Sequence, residues 1–171
     1  IGNGRLFTRD QGRYIENGAV AIDGNLIVEV GETAALRAKY PEAEWMDAAG
    51  GVIMPGLVNT HNHIYSAFAR GLSINNYNPH DFNDILEGMW WKIDRLLTKE
   101  NDSLSAQAVY IDCIKNGVTT VFDHHASYYD IPVSLDTIAD AAKQLGVRTS
   151  LCYEVSDRDG KAKMTEAVLE N

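Results

Sequence analysis

The segment Gly51-Val52-Ile53-Met54-Pro55-Gly56-Leu57-Val58-Asn59-Thr60-His61-Asn62-His63 carries the strongest structural signal in this sequence. An apolar run passes through Pro-Gly into a short strand that ends in two histidines at positions i and i+2. Side chains two apart in a strand share a face, so we expect both rings on one side, roughly 6–7 Å apart, with Asn62 turned away. Two convergent neutral imidazoles can bind one divalent metal ion, although a polar pair at a strand end would have the same spacing.

The composition is that of a globular protein with a real core. The chain has 171 residues, of which 45% are hydrophobic and 23% charged,. Its net charge of −9, without clustered lysine or arginine, argues against nucleic acid as a partner,. No apolar run approaches the roughly 20 residues of a membrane helix, and the first residues do not resemble a signal sequence. We therefore expect a cytoplasmic protein with no membrane partner; a homo-oligomer remains open.

The two cysteines lie far apart in apolar stretches. Cys113 and Cys152 are separated by 38 intervening positions of mixed helix and strand character. This placement favours two buried free thiols in a reducing compartment over a disulfide.

Residues 1–50 alternate short β-type runs with turns. Runs at 5–8, 18–22 and 26–30, with Asp23-Gly24 between the last two, predict a small antiparallel unit with a hairpin,. A short helix is predicted at 33–40, ended by Pro41, and a further strand at 43–47. No cluster of ligand-type residues lies in this region.

From Gly51 onward, the pattern becomes strand, long helical segment, strand. Helices are predicted at 82–97, 98–115 and 134–145, with Gly117 and Gly146 as stops, and strands at 118–122 and 147–155,. A last helix is predicted from residue 165. Such alternation implies parallel strands joined by crossover helices. Three βα repeats fall short of the ~250 residues of a (β/α)8 barrel, so we expect the front portion of a longer protein, inactive and poorly soluble alone.

Three polar residues follow the strand predicted at 118–122. Asp123, His124 and His125 stand just beyond it, at the end where barrel active sites gather,. They are candidates for contacting substrate or for supporting the metal ligands. Adjacent side chains point opposite ways, so at most one histidine should face the site. The alternative for the two histidines is a hydrogen-bonding pair in a loop. Asp123 could orient one of these histidines or cap the next segment.

The segment around the first histidine pair resembles the first barrel strand of the amidohydrolase superfamily. There Pro-Gly-Leu/Phe-Val/Ile-Asn/Asp-x-His-x-His carries two metal ligands. The blocks at 61–72, 119–127 and 150–160 are similar to an aminohydrolase group in the deaminase and chlorohydrolase branch. The resemblance implies an α/β fold: residues 1–54 as the N-terminal part of a β-sandwich, and 55–171 as the first βα repeats of a (β/α)8 TIM barrel.

The resemblance also implies a chemistry. His61 and His63 would bind one divalent metal, with zinc the default and iron or manganese as alternatives. Further ligands and the catalytic residues would lie beyond residue 171. The partner would be a small-molecule substrate, a nitrogen heterocycle such as a purine or pterin-like ring, which metal-activated water would deaminate. A cyclic amidase, a triazine-type hydrolase and a non-catalytic barrel remain alternatives, although Asn59 replaces the Asp usual in binuclear cyclic amidases.

Overall fold

The computed structural model describes all of residues 1–171, and its backbone forms two compact units, Ile1–Pro55 and Gly56–Asn171. The strands are β1 Gly4–Phe7, β2 Tyr14–Asp23, β3 Leu26–Glu32, β4 Val52–Ile53, β5 Leu57–Asn62, β6 Val118–His125 and β7 Arg148–Tyr153. The α-helices are α1 Thr33–Lys39, α2 Phe82–Ile85, α3 Trp91–Asp94, α4 Lys99–Lys115, α5 Ser134–Leu145 and α6 Lys161–Glu170. A 3₁₀ helix covers Ile64–Ala69, and a π-helical turn covers Leu86–Trp90.

The first unit is a four-stranded sheet in the order β3-β2-β1-β4. The predicted β2–β3 hairpin is confirmed, and its turn begins at Gly24, whose positive φ of 58° suits glycine,. Helix α1 is also confirmed. Leu6, Ile15 and Val20 form the core of the unit. That this sheet is part of a β-sandwich remains a prediction.

The strand predicted at 43–47 is wrong. The segment makes only one isolated bridge, between Gly2 and Asp47. The indole of Trp45 packs so closely on Gly2 that a Cβ atom added at Gly2 would lie 2.4 Å from the ring. The apolar residues of this segment therefore serve as packing against the start of β1, and alternation alone could not distinguish that from a strand.

The second unit is a parallel sheet in the order β5-β6-β7, with α4 and α5 as the crossover helices. This confirms the predicted α/β pattern. A capping box between Thr98 and Asn101 starts α4, and Gly117 and Gly146, with φ of 73° and 74°, follow the ends of α4 and α5,. Several bounds differ from the prediction: the helical segment from Phe82 ends at Asp94, α6 begins at Lys161, β6 continues to His125, and β7 covers Arg148–Tyr153.

The sheet of the second unit buries one face. Val121 on β6 packs among Ile64, Tyr110 and Ile138, all four completely buried. On the other face Phe122 is 46% exposed, and Cys152 is exposed rather than buried as predicted, while Cys113 is buried. Since parallel sheets are normally covered on both faces, the open face is an incomplete core within these residues. None of the helices is long and apolar enough to cross a membrane.

The turn between α5 and β7 provides a test of the helix stop. Replacing Gly146 with Ala forces a side chain into the left-handed conformation, which costs about 1–2 kcal/mol. We expect Gly146→Ala to lower the free energy of unfolding by that amount in chemical denaturation. The control is Gln144→Ala, an exposed change inside α5 that should leave stability nearly unchanged,. Equal stability of the two variants would contradict the assignment.

Candidate metal centre

A bulge in β5 shapes the candidate site. Asn59 pairs with Val121 and Asn62 with Asp123, so three steps along β5 match two along β6. The Asn59 side chain supports this extra residue, because its oxygen accepts from the backbone N–H of His61 at 3.3 Å and its amide donates to Asn62 at 3.2 Å. Bulges re-aim side chains at strand ends, and here the strand ends at the histidine pair.

The two imidazoles converge more closely than the sequence predicts. The Nε2 atoms of His61 and His63 are 2.9 Å apart and the ring centroids 4.9 Å, whereas a regular strand suggested roughly 6–7 Å,. The bulge and the end of the strand at Asn62 account for the difference. Asn62 points away from the pair as expected, towards Asp123.

A backbone contact fixes the tautomer of His63. Its Nδ1 lies 3.1 Å from the carbonyl oxygen of His124 on β6. A carbonyl can only accept, so Nδ1 carries the hydrogen and the neutral ring keeps its lone pair on Nε2, the atom that faces His61. Metal-binding histidines are held in this way by a partner on the other ring nitrogen.

The spacing of the pair fits one shared ion. Two nitrogens bound to one zinc at about 2.0–2.1 Å, with an angle of about 90–109°, lie about 2.9–3.4 Å apart. The observed 2.9 Å falls at the short end of that range. The chain contains no group of three or more His, Cys, Asp or Glu side chains that could hold one ion.

A third imidazole stands beside the pair. The His124 ring lies 5.5 Å from that of His63, edge to face, and its Nδ1 is buried without a hydrogen-bond partner. Burial lowers the pKa of His124 below its usual value and so favours the neutral form of this ring. His61, His63 and His124 are therefore the three sequence candidates that the structure brings together.

Asp123 and His125 lie on the opposite face of β6, because side chains alternate along a strand. The prediction that 123–125 follow the strand is wrong, since β6 runs through His125. Asp123 accepts from the backbone N–H of Ile64 at 2.7 Å and from the Asn62 amide at 3.2 Å. Burial raises the pKa of its carboxyl, and the hydrogen bond from Ile64 opposes that rise.

His125 belongs to a buried cluster behind the sheet. Its ring is completely buried, with Nε2 3.0 Å from the hydroxyl of Ser127 and 3.5 Å from the carboxylate of Asp102 on α4. These residue types could suggest a nucleophilic triad. A triad, however, requires the serine and the carboxylate on different ring nitrogens and an accessible hydroxyl, whereas here both use Nε2 and Ser127 is fully buried,. The cluster therefore packs the sheet against α4.

Aromatic and charged side chains pack beside the histidines, at the carboxyl ends of the strands. Tyr65, whose pKa burial raises to about 12, packs against His63 and Trp90. Arg158, after β7, donates to Asp94 of α3 at 2.6 Å and stacks 3.9 Å above the Tyr128 ring. This network ties the helical segment that carries Trp90 to the end of β7.

Several residues that shape the site carried no sequence signal. Asn62, Ile64 and Arg158 act through partners about 60 positions away, and no local period or motif reports such contacts. Ile64 could have been chosen as a core residue from its apolar character. Its role in anchoring the chain directly after His63 follows only from the pairing of β5 with β6.

A parallel βα sheet with polar side chains gathered at the carboxyl ends of its strands defines an α/β protein of the kind that holds ligands at that edge. The chain belongs to the amidohydrolase family, whose model matches residues 52–171. A second model, described as an imidazolonepropionase-like composite domain of bacteria, matches residues 18–43.

Curated relatives are deaminases. The 5′-deoxyadenosine deaminase of Methanosarcina barkeri is 32% identical over 139 residues, which cover 81% of this chain and 29% of that protein. The 5-methylthioadenosine/S-adenosylhomocysteine deaminase of Desulforudis audaxviator is 30% identical over 138 residues, covering 79% and 29%. The chain thus spans about a third of the length of these relatives.

Solved structures agree with this placement. A mutant of the atrazine chlorohydrolase TrzN from Arthrobacter aurescens, complexed with zinc and atraton, matches with a TM-score of 0.63 and 26% identity, over 86% of this chain and 33% of that one. The guanine deaminase of E. coli matches with a TM-score of 0.72 over 92% and 37%; at 19% identity it shows the fold alone. The predicted membership of the deaminase and chlorohydrolase branch is confirmed. The prediction that the chain corresponds to the N-terminal part of the family's α/β fold is confirmed as well.

The Arg158–Asp94 pair gives a second test. The two side chains are 7% and 2% exposed, so removing the guanidinium leaves a buried carboxylate without its partner, which costs about 3–5 kcal/mol,. We expect Arg158→Met to lose that much stability in chemical denaturation. The control is Lys143→Met, which removes a cation from the exposed pair with Asp140 and should change stability little,. A small loss of unfolding free energy in Arg158→Met would show that this ion pair does not stabilise the contact between α3 and the end of β7.

Proposed function

We propose that the protein is a metal-dependent hydrolase that deaminates a nitrogen heterocycle, with His61 and His63 as two ligands of one divalent ion. The observation that carries the proposal is the 2.9 Å approach of the two Nε2 atoms at the end of β5. Membership of the amidohydrolase family and the deaminase names of its relatives support the same chemistry. Further strands of a (β/α)8 barrel, covering the open face of the sheet, are part of the proposal.

Zinc is the metal we propose. Imidazole nitrogens suit zinc, and the triazine hydrolase relative was crystallised with zinc, although iron or manganese would fit the same donors,. Such an ion lowers the pKa of a bound water towards neutrality and so supplies a nucleophile at physiological pH. Adenine-type or guanine-type rings are the substrate class we propose, because the named relatives act on adenosine derivatives and guanine.

The chain's own residues prepare the site in three ways. The carbonyl of His124 holds the hydrogen of His63 on Nδ1, so that Nε2 presents its lone pair. Tyr65 and Trp90, at right angles 6.1 Å apart, form an apolar wall beside His63. His124, neutral and with a buried free Nδ1, offers a hydrogen-bonding group next to the ligands, suited to a ring nitrogen or exocyclic group of a heterocycle,.

A second reaction at the same site is displacement of a substituent from a triazine ring. The 26% identity and TM-score of 0.63 with the atrazine chlorohydrolase favour it over ring-amide opening. Asn59 also disfavours a binuclear cyclic amidase, because those enzymes usually carry Asp at this position.

The metal assignment is tested by removing each ligand in the natural-length protein. We expect His61→Ala and His63→Ala to weaken zinc binding by more than the about 10–100-fold that loss of an outer partner causes. Elemental analysis and chelator competition measure this. His80→Ala is the matched control, because that imidazole is 82% exposed and contacts only Asp84. Unchanged zinc content in both ligand variants would remove the pair from the metal site.

The reaction class is tested by product analysis. Incubating the zinc-loaded, natural-length protein with 5′-deoxyadenosine, S-adenosylhomocysteine and guanine should release ammonia from at least one, and His63→Ala should abolish that release. Release of chloride or an alkylamine from a triazine, with no ammonia from the purines, would favour the second reaction. A new carboxylate would instead indicate ring opening.

A further inference from the structure

One carboxylate holds the residues on both sides of His63. Asp123 Oδ1 accepts from the Asn62 side-chain amide at 3.2 Å and from the backbone N–H of Ile64 at 2.7 Å. The residue after Asp123 supplies the carbonyl that binds His63 Nδ1 at 3.1 Å. Thus two consecutive residues of β6 determine the position and the ring orientation of one histidine on β5.

The contacts are made in a setting that is unfavourable for a charge. Asp123 is 3% exposed, and its Oδ2 is buried with no hydrogen-bond partner. An aliphatic residue of similar size would pack against the helices without that desolvation cost. What the carboxylate adds, and an aliphatic residue cannot, is an acceptor placed between the two donors that flank His63.

The two histidines are held differently. His61 receives no contact from Asp123; its backbone N–H bonds to the Asn59 side chain within β5, and its ring is exposed. His63 is followed directly by the completely buried Ile64, which anchors the chain in the core. His63 is therefore the fixed member of the pair, and β6 fixes it.

We propose that Asp123 is a positioning residue that holds His63 in its metal-binding orientation through one acceptor oxygen and without contacting metal or substrate. This inference rests on the proposed metal site. It places Asp123 behind the ligand, rather than facing substrate. The role requires an acceptor at Oδ1 and does not require the negative charge.

Three variants in the natural-length protein separate these requirements. Asp123→Ala removes the acceptor, and Asp123→Asn keeps an oxygen at Oδ1 without charge. The matched control is Val147→Ala, which truncates a buried side chain just before β7, at the end of the sheet opposite the histidine pair. Zinc affinity is measured by chelator competition. The hydrogen-bearing nitrogen of His63 in the metal-free protein is read from the ¹⁵N shifts of its ring.

We expect Asp123→Ala to weaken zinc binding about 10–100-fold and to release His63 from its Nδ1–H tautomer. Asp123→Asn and Val147→Ala should stay within about threefold of the parent, with the tautomer retained. If Asp123→Ala does not fold, Asp123→Leu, which fills the volume without an acceptor, takes its place with the same expectation.

Two results would overturn the inference. One is parental zinc affinity and tautomer in Asp123→Ala; the other is an Asn variant that fails as completely as the Ala variant, which would show that the charge is required. His63→Ala, measured alongside, separates the two levels of the argument. Parental zinc binding by His63→Ala would defeat the metal site itself, whereas loss in His63→Ala with no loss in Asp123→Ala would defeat only the positioning role.

Discussion

The parallel pairing of β6 with β5 is the constraint on which the site depends. It joins residues about 60 positions apart in sequence, Asn62 with Asp123 and His63 with the backbone of His124. Closing so long a loop has an entropic cost, which the fully buried cluster of Ile64, Val121 and Ile138 offsets,. The position of the histidine pair thus depends on the packing of Ile64, the residue after His63, in the core. The geometry of the pair follows from the register of β5 and β6 rather than from the His-x-His spacing.

Strand β6 divides its residues between two tasks. Val121, Asp123 and His125 face the helices and are all buried, while Phe122 and His124 face the other side and are partly exposed. The period of two therefore puts core packing and site chemistry on one strand without conflict. It also explains why a buried carboxylate and a buried imidazole occur so close to the site. They belong to the face that holds the strand in place, next to the residues that face the open side.

The parts of the fold that sequence could predict are those written in local signals. The β2–β3 hairpin, the helix stops at Gly117 and Gly146 and the start of α4 at Thr98 depend on residues within one turn of each other. The prediction of a strand at 43–47 was wrong because alternating apolar residues also suit an irregular segment that packs on a glycine. The convergence of three histidines was predicted in part, since their strands end at one edge. The bulge and the hydrogen bonds that Asp123 accepts from Asn62 and Ile64 were not predictable, because they arise from strand register.

Asn59 is both a position of the family motif and a side chain that supports the β5 bulge. Its place in the motif distinguishes this chain from the cyclic amidases, which would carry Asp there. In the structure its oxygen accepts from His61 and its amide donates to the Asn62 oxygen, while the Asn62 amide in turn donates to Asp123. An aspartate could accept from His61 but could not donate to Asn62, so the chain of contacts from Asn59 to Asp123 would lose its first step. The Asn59 amide therefore suits the local backbone, because its two hydrogen bonds support the bulged segment that ends at the histidine pair.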